Sequence, residues 1–308
     1  HSRWFPTTQA EQGHSSHPRP RFGKWARSTP EWQHSAPSFV LLLILGLLIS
    51  RVVEARTFVL KADGTGDVLT FQAGVDSLIV NHACADRDTL FVGPGSYEEN
   101  VVVDLRQGNY RNCLFQGAIV AYEGFERTQV RGLSFAQDTG PVNSQPRLLI
   151  EGLTVKEPVA QGVSQQWCLW RRCRFAGGFT SSLRLTSIRP PFESCEFQGF
   201  ATLQGYGPSA TIEGCRFISA PAHLDGREWD LILRDCTFVG PADTAVIVNP
   251  SPDGGVVFQS CTFADFERAI VLRQAVARDL FRLNDCSFRD IADAAIEALG
   301  AQPPFGFR

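Results

Sequence analysis

Leu233-Arg-Asp-Cys-Thr-Phe238 and Phe258-Gln-Ser-Cys-Thr-Phe263 are two copies of a six-residue pattern that recurs along this chain of 308 residues. Each copy starts with a large apolar or aromatic residue, has Cys or Leu at its fourth position, and ends with Phe or Val. The nine copies have as fourth residues Cys113, Leu133, Leu153, Cys173, Cys195, Cys215, Cys236, Cys261 and Cys286. Successive fourth positions lie 20 to 25 residues apart, and so regular a recurrence indicates a solenoid.

The residue just before the fourth position favours a bend. Side chains alternate along a strand, so the first residue of a copy faces the same side as the fourth only if the chain turns between them. Gly, Asn and Asp tolerate the left-handed backbone conformation that such a turn needs. The residues at this position are Asn112, Gly132, Gly152, Ser194, Gly214, Asp235, Ser260 and Asp285, with Arg172 as the exception. Each copy is therefore predicted to be a strand, a one-residue corner and a second strand.

These units predict an all-β fold, a single-stranded right-handed parallel β-helix of about ten coils. The period fits one β-helix coil. Successive coils would stack at about 4.8 Å, so equivalent residues would form ladders of Cys and Phe inside the solenoid. The repeated copies lack the Leu-x-x-Leu-x-Leu pattern of leucine-rich repeats and the 3.6-residue period of helical repeats.

The nine cysteines are predicted to be structural thiols. Seven occupy the ladder, and Cys84 and Cys168 lie outside it. Leu133 and Leu153 replace Cys where the repeat continues unchanged, so Cys acts here as a small buried hydrophobic residue. No CxxC pair or His-rich cluster accompanies the ladder, and we predict no metal site at these residues.

The chain is predicted to contain three segments. Residues 1–38 are rich in Ser, Pro, His and Arg, which predicts a disordered leader or a stretch translated from upstream of the true start. Residues 39–55 resemble the apolar and cleavage regions of a signal peptide, with Val53 and Ala55 at positions −3 and −1 before Arg56. Residues 56–308 would form the β-helix domain. We therefore expect a secreted protein, extracellular or periplasmic, that has no stable membrane span after cleavage.

The charge of the predicted domain disfavours nucleic acid as a partner. The full chain has 29 basic and 32 acidic residues, and six basic and three acidic residues fall in residues 1–55. The domain therefore has 23 basic and 29 acidic residues, a net charge of −6. Nucleic-acid-binding domains usually carry the opposite sign.

The start of the domain resembles a known superfamily. Lys61-Ala-Asp-Gly-Thr-Gly-Asp67 precedes Thr70-Phe-Gln-Ala-Gly-Val-Asp76, an amphipathic segment that continues to about Ala83, and then Asp88-Thr-Leu-Phe-Val-Gly-Pro-Gly-Ser-Tyr-Glu-Glu-Asn-Val101 follows. These roughly forty-five residues resemble the N-terminal cap and first coil of pectin-lyase-like β-helix proteins, and most closely the opening of pectinesterases. The resemblance implies a short helix that caps the open end of the solenoid.

The resemblance does not extend to a complete set of catalytic motifs. Gln137-Asp138-Thr139 is similar to one aspartate motif of pectinesterases. The segment Val155 to Trp167 lacks the second aspartate motif, which that family places on the next coil. The paired aspartates and Gly-His-Gly of polygalacturonases and the Arg-x-Pro-x-x-Arg of pectate lyases are also missing. Pectinesterase activity is therefore not the expected function.

A second repeat in the C-terminal coils suggests a catalytic site. The strands Asp243-Thr-Ala-Val-Ile-Val, Glu267-Arg-Ala-Ile-Val-Leu and Asp293-Ala-Ala-Ile-Glu-Ala align on their Ala-Val or Ala-Ile pairs. Asp243, Glu267 and Asp293 would then stack on three consecutive coils, with neighbours about 5 Å apart and the outer pair about 10 Å apart. These separations suit both stereochemical classes of glycoside hydrolysis. The alternative is that acidic residues merely begin three solvated strands.

The remaining site residues of this hypothesis are basic or aromatic. Arg227, Trp229 and Arg268 are the candidate substrate-binding residues near the three carboxylates. No cofactor is predicted, although stacked carboxylates could bind Ca²⁺.

Two functions remain open at this point. In the first, the chain is a secreted β-helix that binds extracellular polysaccharide or a cell-surface glycan without catalysis. In the second, it is a carbohydrate-active enzyme, either a glycoside hydrolase or a polysaccharide lyase, that uses the carboxylate ladder. Because no known catalytic set is complete, we favour the first interpretation and leave the question of enzymatic activity open.

Overall fold

A computed structural model describes residues 55–80, 88–104, 116–136, 147–161, 168–184, 191–206, 210–219, 221–226, 230–250, 254–273 and 281–299. The described helix, α1, spans Phe71–Val80. The strands are β1 Thr57–Leu60, β2 Thr89–Val92, β3 Gly95–Val103, β4 Gln116–Ala121, β5 Thr128–Phe135, β6 Arg147–Glu151, β7 Thr154–Val155, β8 Val159–Gln161, β9 Cys168–Arg171, β10 Arg174–Phe175, β11 Phe179–Arg184, β12 Phe192–Glu193, β13 Glu196–Gln198, β14 Ala201–Tyr206, β15 Ala210–Glu213, β16 Arg216–Ile218, β17 Ala222–Gly226, β18 Leu231–Arg234, β19 Thr237–Val239, β20 Thr244–Pro250, β21 Val256–Gln259, β22 Thr262–Leu272, β23 Phe281–Asn284 and β24 Ser287–Ala298. The predicted leader and residues 39–54 of the signal-peptide segment lie outside the described residues.

The strands form two long parallel sheets. The first face is a ten-stranded sheet in the order β1-β2-β4-β6-β9-β12-β15-β18-β21-β23. The second sheet has fourteen strands in the order β3-β5-β7-β10-β13-β16-β19-β22-β20-β17-β14-β11-β8, and β24 also pairs with β22. We call its part from β3 to β19 the second face and its part from β20 to β8 the third face. Strand β22 is long enough to belong to both, and the whole arrangement fits a parallel β-helix solenoid.

The Phe ladder is present from the middle of the chain to its last described strand. Strand register pairs the aromatic residue that ends each copy with its equivalent on the next coil. Neighbouring rings are stacked, with centroids 4.6 to 5.1 Å apart. The ladder consists of Phe175, Phe197, Phe217, Phe238, Phe263 and Phe288. These contacts confirm the predicted stacking of equivalent residues.

The copy that begins at Val130 was assigned the wrong register. Val130 pairs with Val155, the last residue of the next copy, and with Tyr97 on the coil before. The first residue of the next copy, Ile150, pairs instead with Ile119. Val130 therefore ends a repeat and does not begin one. Six residues, Tyr122–Arg127, are inserted between the two strands of this repeat. Because of this insertion, the sequence analysis did not recognise the copy that runs from Ile119 to Val130.

The remaining apolar residues of the misassigned copy belong to the same strand. β5 continues past Val130, and its Leu133 and Phe135 pair with Val101 and Val103 of β3. A strand of eight residues with apolar residues on its inner side reproduces the six-residue pattern by coincidence. The copy around Cys113 lies outside the described residues.

The predicted left-handed corners are confirmed wherever the repeat is assigned correctly. The residues before the ladder position have φ between 49° and 72°, namely Gly152, Arg172, Ser194, Gly214, Asp235, Ser260 and Asp285. Arg172, the exception by residue type, adopts the same conformation with φ 49°. Gly132 is not among the residues with positive φ, in agreement with the corrected register.

In four coils a second left-handed corner, which was not predicted, follows four residues after the ladder position, whereas Gly177 and Gly240 at the same position do not have positive φ. Gly199, Ser219, Asp265 and Asp290 have φ of 99°, 59°, 64° and 51°. The same residue types favour this conformation at both corners. The position was readable in the sequence, because it holds Gly, Ser or Asp in every coil from Gly177 onward.

The described cysteines are free thiols, and the ladder cysteines donate to main-chain oxygens. The Sγ atoms of Cys173, Cys195 and Cys261 each lie 3.4 Å from the carbonyl oxygen of the first residue of the preceding copy. Seven cysteines lie within the described residues, and none of them forms a disulfide there. Burial raises the pKa of the Cys173 and Cys195 thiols well above its usual range. The prediction of structural thiols is confirmed for this part of the chain.

Helix α1 packs against the first coils as the resemblance implied. Phe71 is fully buried and meets the Tyr97 ring edge to face at 5.7 Å. The carboxylate of Glu99 accepts hydrogen bonds from the backbone N–H groups of Phe71 and Gln72 at the first turn, where the helix dipole favours an anion. The Gln72 amide exchanges two hydrogen bonds with the backbone of Val102, at 2.7 and 3.0 Å. The Gln72 side chain thus forms the pair of hydrogen bonds with β3 that the backbone of a neighbouring strand would form.

The crowding around Gly152 gives a testable difference between two corners. A Cβ atom on Gly152 would lie 2.7 Å from the Ala121 carbonyl oxygen, whereas one on Gly214 would lie 3.5 Å from its nearest neighbour. Both residues have positive φ, which costs an alanine about 1 kcal/mol. We expect Gly214→Ala to lower the free energy of unfolding by about 1 kcal/mol and Gly152→Ala by about 2 to 4 kcal/mol. Urea unfolding measures both, and equal losses would contradict the close approach at Gly152.

The burial of the ladder predicts unequal thiol reactivity. Cys215 is 1% exposed, whereas Cys286 on the last described coil is half-buried. In the folded protein we expect iodoacetamide to label Cys286 at least about tenfold faster than Cys215, because alkylation needs an accessible thiolate. Peptide mapping by mass spectrometry gives the two rates. In urea the rates should become similar, and equal rates in the folded protein would refute this account of the ladder.

Candidate functional site

The strands that follow the three predicted catalytic carboxylates lie side by side. Thr244 pairs with Arg268, and Arg268 pairs with Ala294. Asp243 and Glu267, which precede Thr244 and Arg268, therefore occupy equivalent positions on adjacent coils. The register of β22 and β24 shifts between Phe266 and Arg268, so that Glu267 lies opposite both Ala292 and Asp293. The backbone N–H of Arg268 donates to the Asp243 carbonyl oxygen at 2.7 Å, which ties two of the coils together beside the carboxylates. All three acidic side chains are exposed.

Arg268 supplies a positive charge to this ladder. Its Nη1 donates to the Glu297 carboxylate at 3.0 Å, and both side chains are about one-third exposed. The hydrogen bond to Glu297 raises the pKa of Arg268, and the charges of Asp243 and Asp293 act in the same direction. The sequence predicted Arg268 as a substrate-binding residue, and this stays a prediction. In the structure its guanidinium also offsets the charge of the stacked acids.

Sequence reasoning missed a row of polar residues on the outer side of the third face. His223 and Asp225 point outward from β17, and Asp225 pairs in register with Gln204 on one side and Asn249 on the other. Arg273 occupies the equivalent position on the next coil, because Leu272 pairs with Val248, and these two residues are followed by Arg273 and Asn249. Burial lowers the pKa of His223, and the charge of Arg273 adds to this effect. The missed signal is the polar residue that recurs at the position of Asp225 on successive strands of the third face.

The other two predicted binding residues cannot be assigned to this surface. Arg227 and Trp229 lie outside the described residues. β17 ends at Gly226, and the chain is described again from Asp230. The side chain of Asp230 accepts a hydrogen bond from the Gly255 N–H at 3.1 Å, which fixes the start of the next strand.

The insertion Tyr122–Arg127 forms one side of a separate cleft of about 590 Å³. Tyr122 is about half-exposed and meets the Phe91 ring edge to face at 6.2 Å. The lining residues are Val120, Ala121, Tyr122, Glu123, Gly124, Phe125, Glu126, Arg127, Glu151, Gly152 and Arg172. We call this site the Tyr122 cleft. It combines an exposed aromatic ring with carboxylates and guanidinium groups.

Contacts from the second face hold the insertion in place. The Thr154 hydroxyl donates to the Phe125 carbonyl oxygen at 2.6 Å. The Arg174 guanidinium lies 4.3 Å from the centre of the Phe125 ring, a cation–π arrangement. Arg174 is itself fixed by the Glu196 carboxylate at 2.8 Å. The turn is thus anchored on its inner side, and its outer residues are left to line the cleft.

The charges in the Tyr122 cleft are largely paired. Arg127 donates to Glu123 at 2.8 Å, four residues earlier in the insertion. Arg172 forms an ion pair with Glu151, and Glu151 is the more buried partner. Glu126 is an exposed third carboxylate. The cleft therefore presents hydrogen-bonding groups of both signs with little net charge.

Metal and membrane sites are not found in the part of the chain that the structure describes. There, no three acidic, His or Cys side chains converge closely enough to hold a metal ion. The residues thus show no cage for the Ca²⁺ that the stacked carboxylates allowed. A helix able to cross a bilayer is likewise not found among these residues, where α1 has ten.

Comparison with known proteins gives no assignment, since no family model and no curated protein matches the chain.

Proposed function

We propose that this chain is a secreted right-handed parallel β-helix of about ten coils, of the pectin-lyase-like superfamily, that binds an extracellular or cell-surface polysaccharide in the Tyr122 cleft. The observation that carries the proposal is the half-exposed Tyr122 ring beside polar groups of both signs. Binding sites for small organic ligands combine apolar surface with a few placed polar groups. A sugar ring has the matching chemistry, because its C–H face packs on an aromatic ring and its hydroxyl groups both donate and accept hydrogen bonds.

The rigidity of the cleft supports binding of a glycan. Its floor includes Ala121 and Gly152, which belong to or adjoin the first face of the solenoid. One side of the cleft is the Tyr122–Arg127 insertion, which Thr154 and Arg174 hold in place through their contacts with Phe125. Preorganised surfaces lose less conformational entropy when they bind. The cleft therefore suits a ligand that is recognised by shape and hydroxyl groups.

The charge of the cleft indicates which polysaccharides it would bind. Arg127 and Arg172 are already paired with Glu123 and Glu151, and Glu126 adds a further negative charge. A polyanion would meet carboxylates without free cationic partners here. Neutral glycans are therefore the preferred class, and nucleic acid is disfavoured on the same grounds.

Removal of the Tyr122 ring tests this proposal. We expect Tyr122→Ala to weaken binding to a neutral glycan about tenfold, which corresponds to about 1.4 kcal/mol. Phe200→Ala is the matched control, because Phe200 is also an exposed aromatic residue and lies outside the cleft. Glycan-array screening followed by calorimetry on the best ligand measures the effect. Equal losses in the two variants, or no binding by the wild type to any glycan, would reject the Tyr122 cleft as the site.

The carboxylate ladder favours a second candidate, a glycoside hydrolase or polysaccharide lyase. Asp243 and Glu267 precede paired residues on adjacent coils, and Asp293 lies opposite Glu267 at the register shift of the next coil. Adjacent coils bring carboxylates about 5 Å apart, the spacing that retaining glycosidases use, and alternate coils bring them to about 10 Å. Pectinesterase activity has less support, because the second aspartate motif is missing from the sequence.

Catalysis by the ladder requires the Glu267 carboxylate. If the chain is a hydrolase or lyase, Glu267→Gln should lower product release from a polysaccharide panel at least about a hundredfold, because general acid–base groups contribute that much. Asp265→Asn is the control, since Asp265 is exposed on the same strand and Asn tolerates its φ of 64°. Reducing-sugar and unsaturated-product assays, with and without Ca²⁺, give the rates. Absence of product from the wild type would remove this candidate.

A further inference from the structure

Arg56 and Asp88 form a contact that the glycan-binding proposal does not use. Asp88 is completely buried. Its Oδ1 accepts the backbone N–H of Arg56 at 2.7 Å, and its Oδ2 lies 3.0 Å from Nη2 of the same residue. The Arg56 carbonyl oxygen accepts the N–H of Thr89 at 2.8 Å. Both main-chain groups of Arg56 and its side chain are thus fixed at the start of the first coil.

The residue before Arg56 has a different environment. Ala55 is exposed. The strand pairing between β1 and β2 begins two residues later, at Thr57 with Thr89. Val53 and Ala55 are small residues at positions −3 and −1 of the bond between Ala55 and Arg56, as secretory cleavage sites require. Among the described residues, which begin at Ala55, the first one that is hydrogen-bonded to the first coil is Arg56, the residue after this cleavage site.

We propose that the chain is cut between Ala55 and Arg56 and that the new α-ammonium group of Arg56 pairs with the buried Asp88 carboxylate. Water hydrolyses the peptide bond with the help of a signal-peptidase-type protease, so that Ala55 gains a carboxylate and Arg56 an ammonium group. The cut converts a neutral N–H donor at 2.7 Å from Oδ1 into a cationic one. Charge-assisted hydrogen bonds are roughly twice as strong as neutral ones. This proposal rests on the secretion part of the proposed function and not on glycan binding.

Cleavage would give the buried Asp88 carboxylate a second positive partner. Before the cut, the charge partner of the carboxylate is the Arg56 guanidinium, which is 41% exposed. A buried carboxylate is costly unless it is both paired and hydrogen-bonded. After the cut, the two carboxylate oxygens would each face a positive group of Arg56. Maturation would therefore lock the first strand onto the solenoid.

The experiment expresses the full chain in a secretory host and identifies the N-terminus of the exported protein by sequencing. We expect Arg56 as the first residue. The exported chain then contains three amines, the α-amine and the side chains of Lys61 and Lys156. Acetic anhydride labelling with peptide mapping measures each separately, and the exposed Lys61 serves as an internal reference.

The ion pair should protect the α-amine, because pairing keeps it protonated and unreactive. We expect the α-amine to be labelled about tenfold or more slowly in the wild type than in Asp88→Asn, with Lys61 unchanged. If Asp88→Asn does not fold, the same ratio is measured between folded and urea-unfolded wild type. An N-terminus other than Arg56 would overturn the proposal. So would an α-amine that reacts as fast in the folded wild type as in Asp88→Asn, or as in the urea-unfolded wild type if that variant does not fold. Neither result depends on whether Tyr122→Ala alters glycan binding.

Discussion

The in-register stacking of parallel strands is the constraint on which the rest of this molecule depends. A parallel ladder places each residue beside its equivalent on the coils before and after, at about 4.8 Å. Any side chain that fits inside one coil must therefore fit against a copy of itself. Phe rings meet this condition by stacking at 4.6 to 5.1 Å. Cys meets it because it is small and its thiol can donate to a carbonyl oxygen of the neighbouring coil.

The same constraint overrides local backbone preference at the corners. Arg172 has a left-handed conformation although its side chain disfavours it by about 1 to 2 kcal/mol. The strands before and after Arg172 pair with those of the neighbouring coils, Trp170 with Phe192 and Phe175 with Phe197. These pairings hold the backbone of the corner between them. Its side chain remains available at the surface, where it pairs with Glu151.

The sequence was sufficient for the ladder and the corners but not for the insertion. From Leu153 onward each coil differs from the next by only a few residues, and the register follows from the repeat alone. Before Leu153, strand β5 carries apolar residues at the same spacing as a true copy. The sequence analysis therefore assigned Val130 to the first strand of a copy, although it belongs to the second. Strand pairing settles such cases, because Val130 pairs with Tyr97 and not with a first residue. The alignment of Asp243 with Glu267 agrees with the strand register, whereas β24 has one more residue than β22 before Ala294, which the sequence alignment did not predict. The Tyr122 cleft was missed because an insertion forms it.

The Tyr122–Arg127 insertion changes the surface of the solenoid without changing its interior. Most folds do not separate the two so clearly. The strands on either side of it keep their pairing, Ile119 with Ile150 and Val130 with Val155. Six additional residues thus leave the interior unaltered and only enlarge the surface at one corner. In such an architecture, the length of a corner can drift during evolution without a compensating change in the core. New recognition surfaces can arise by extending a turn, while the stack beneath preserves its spacing.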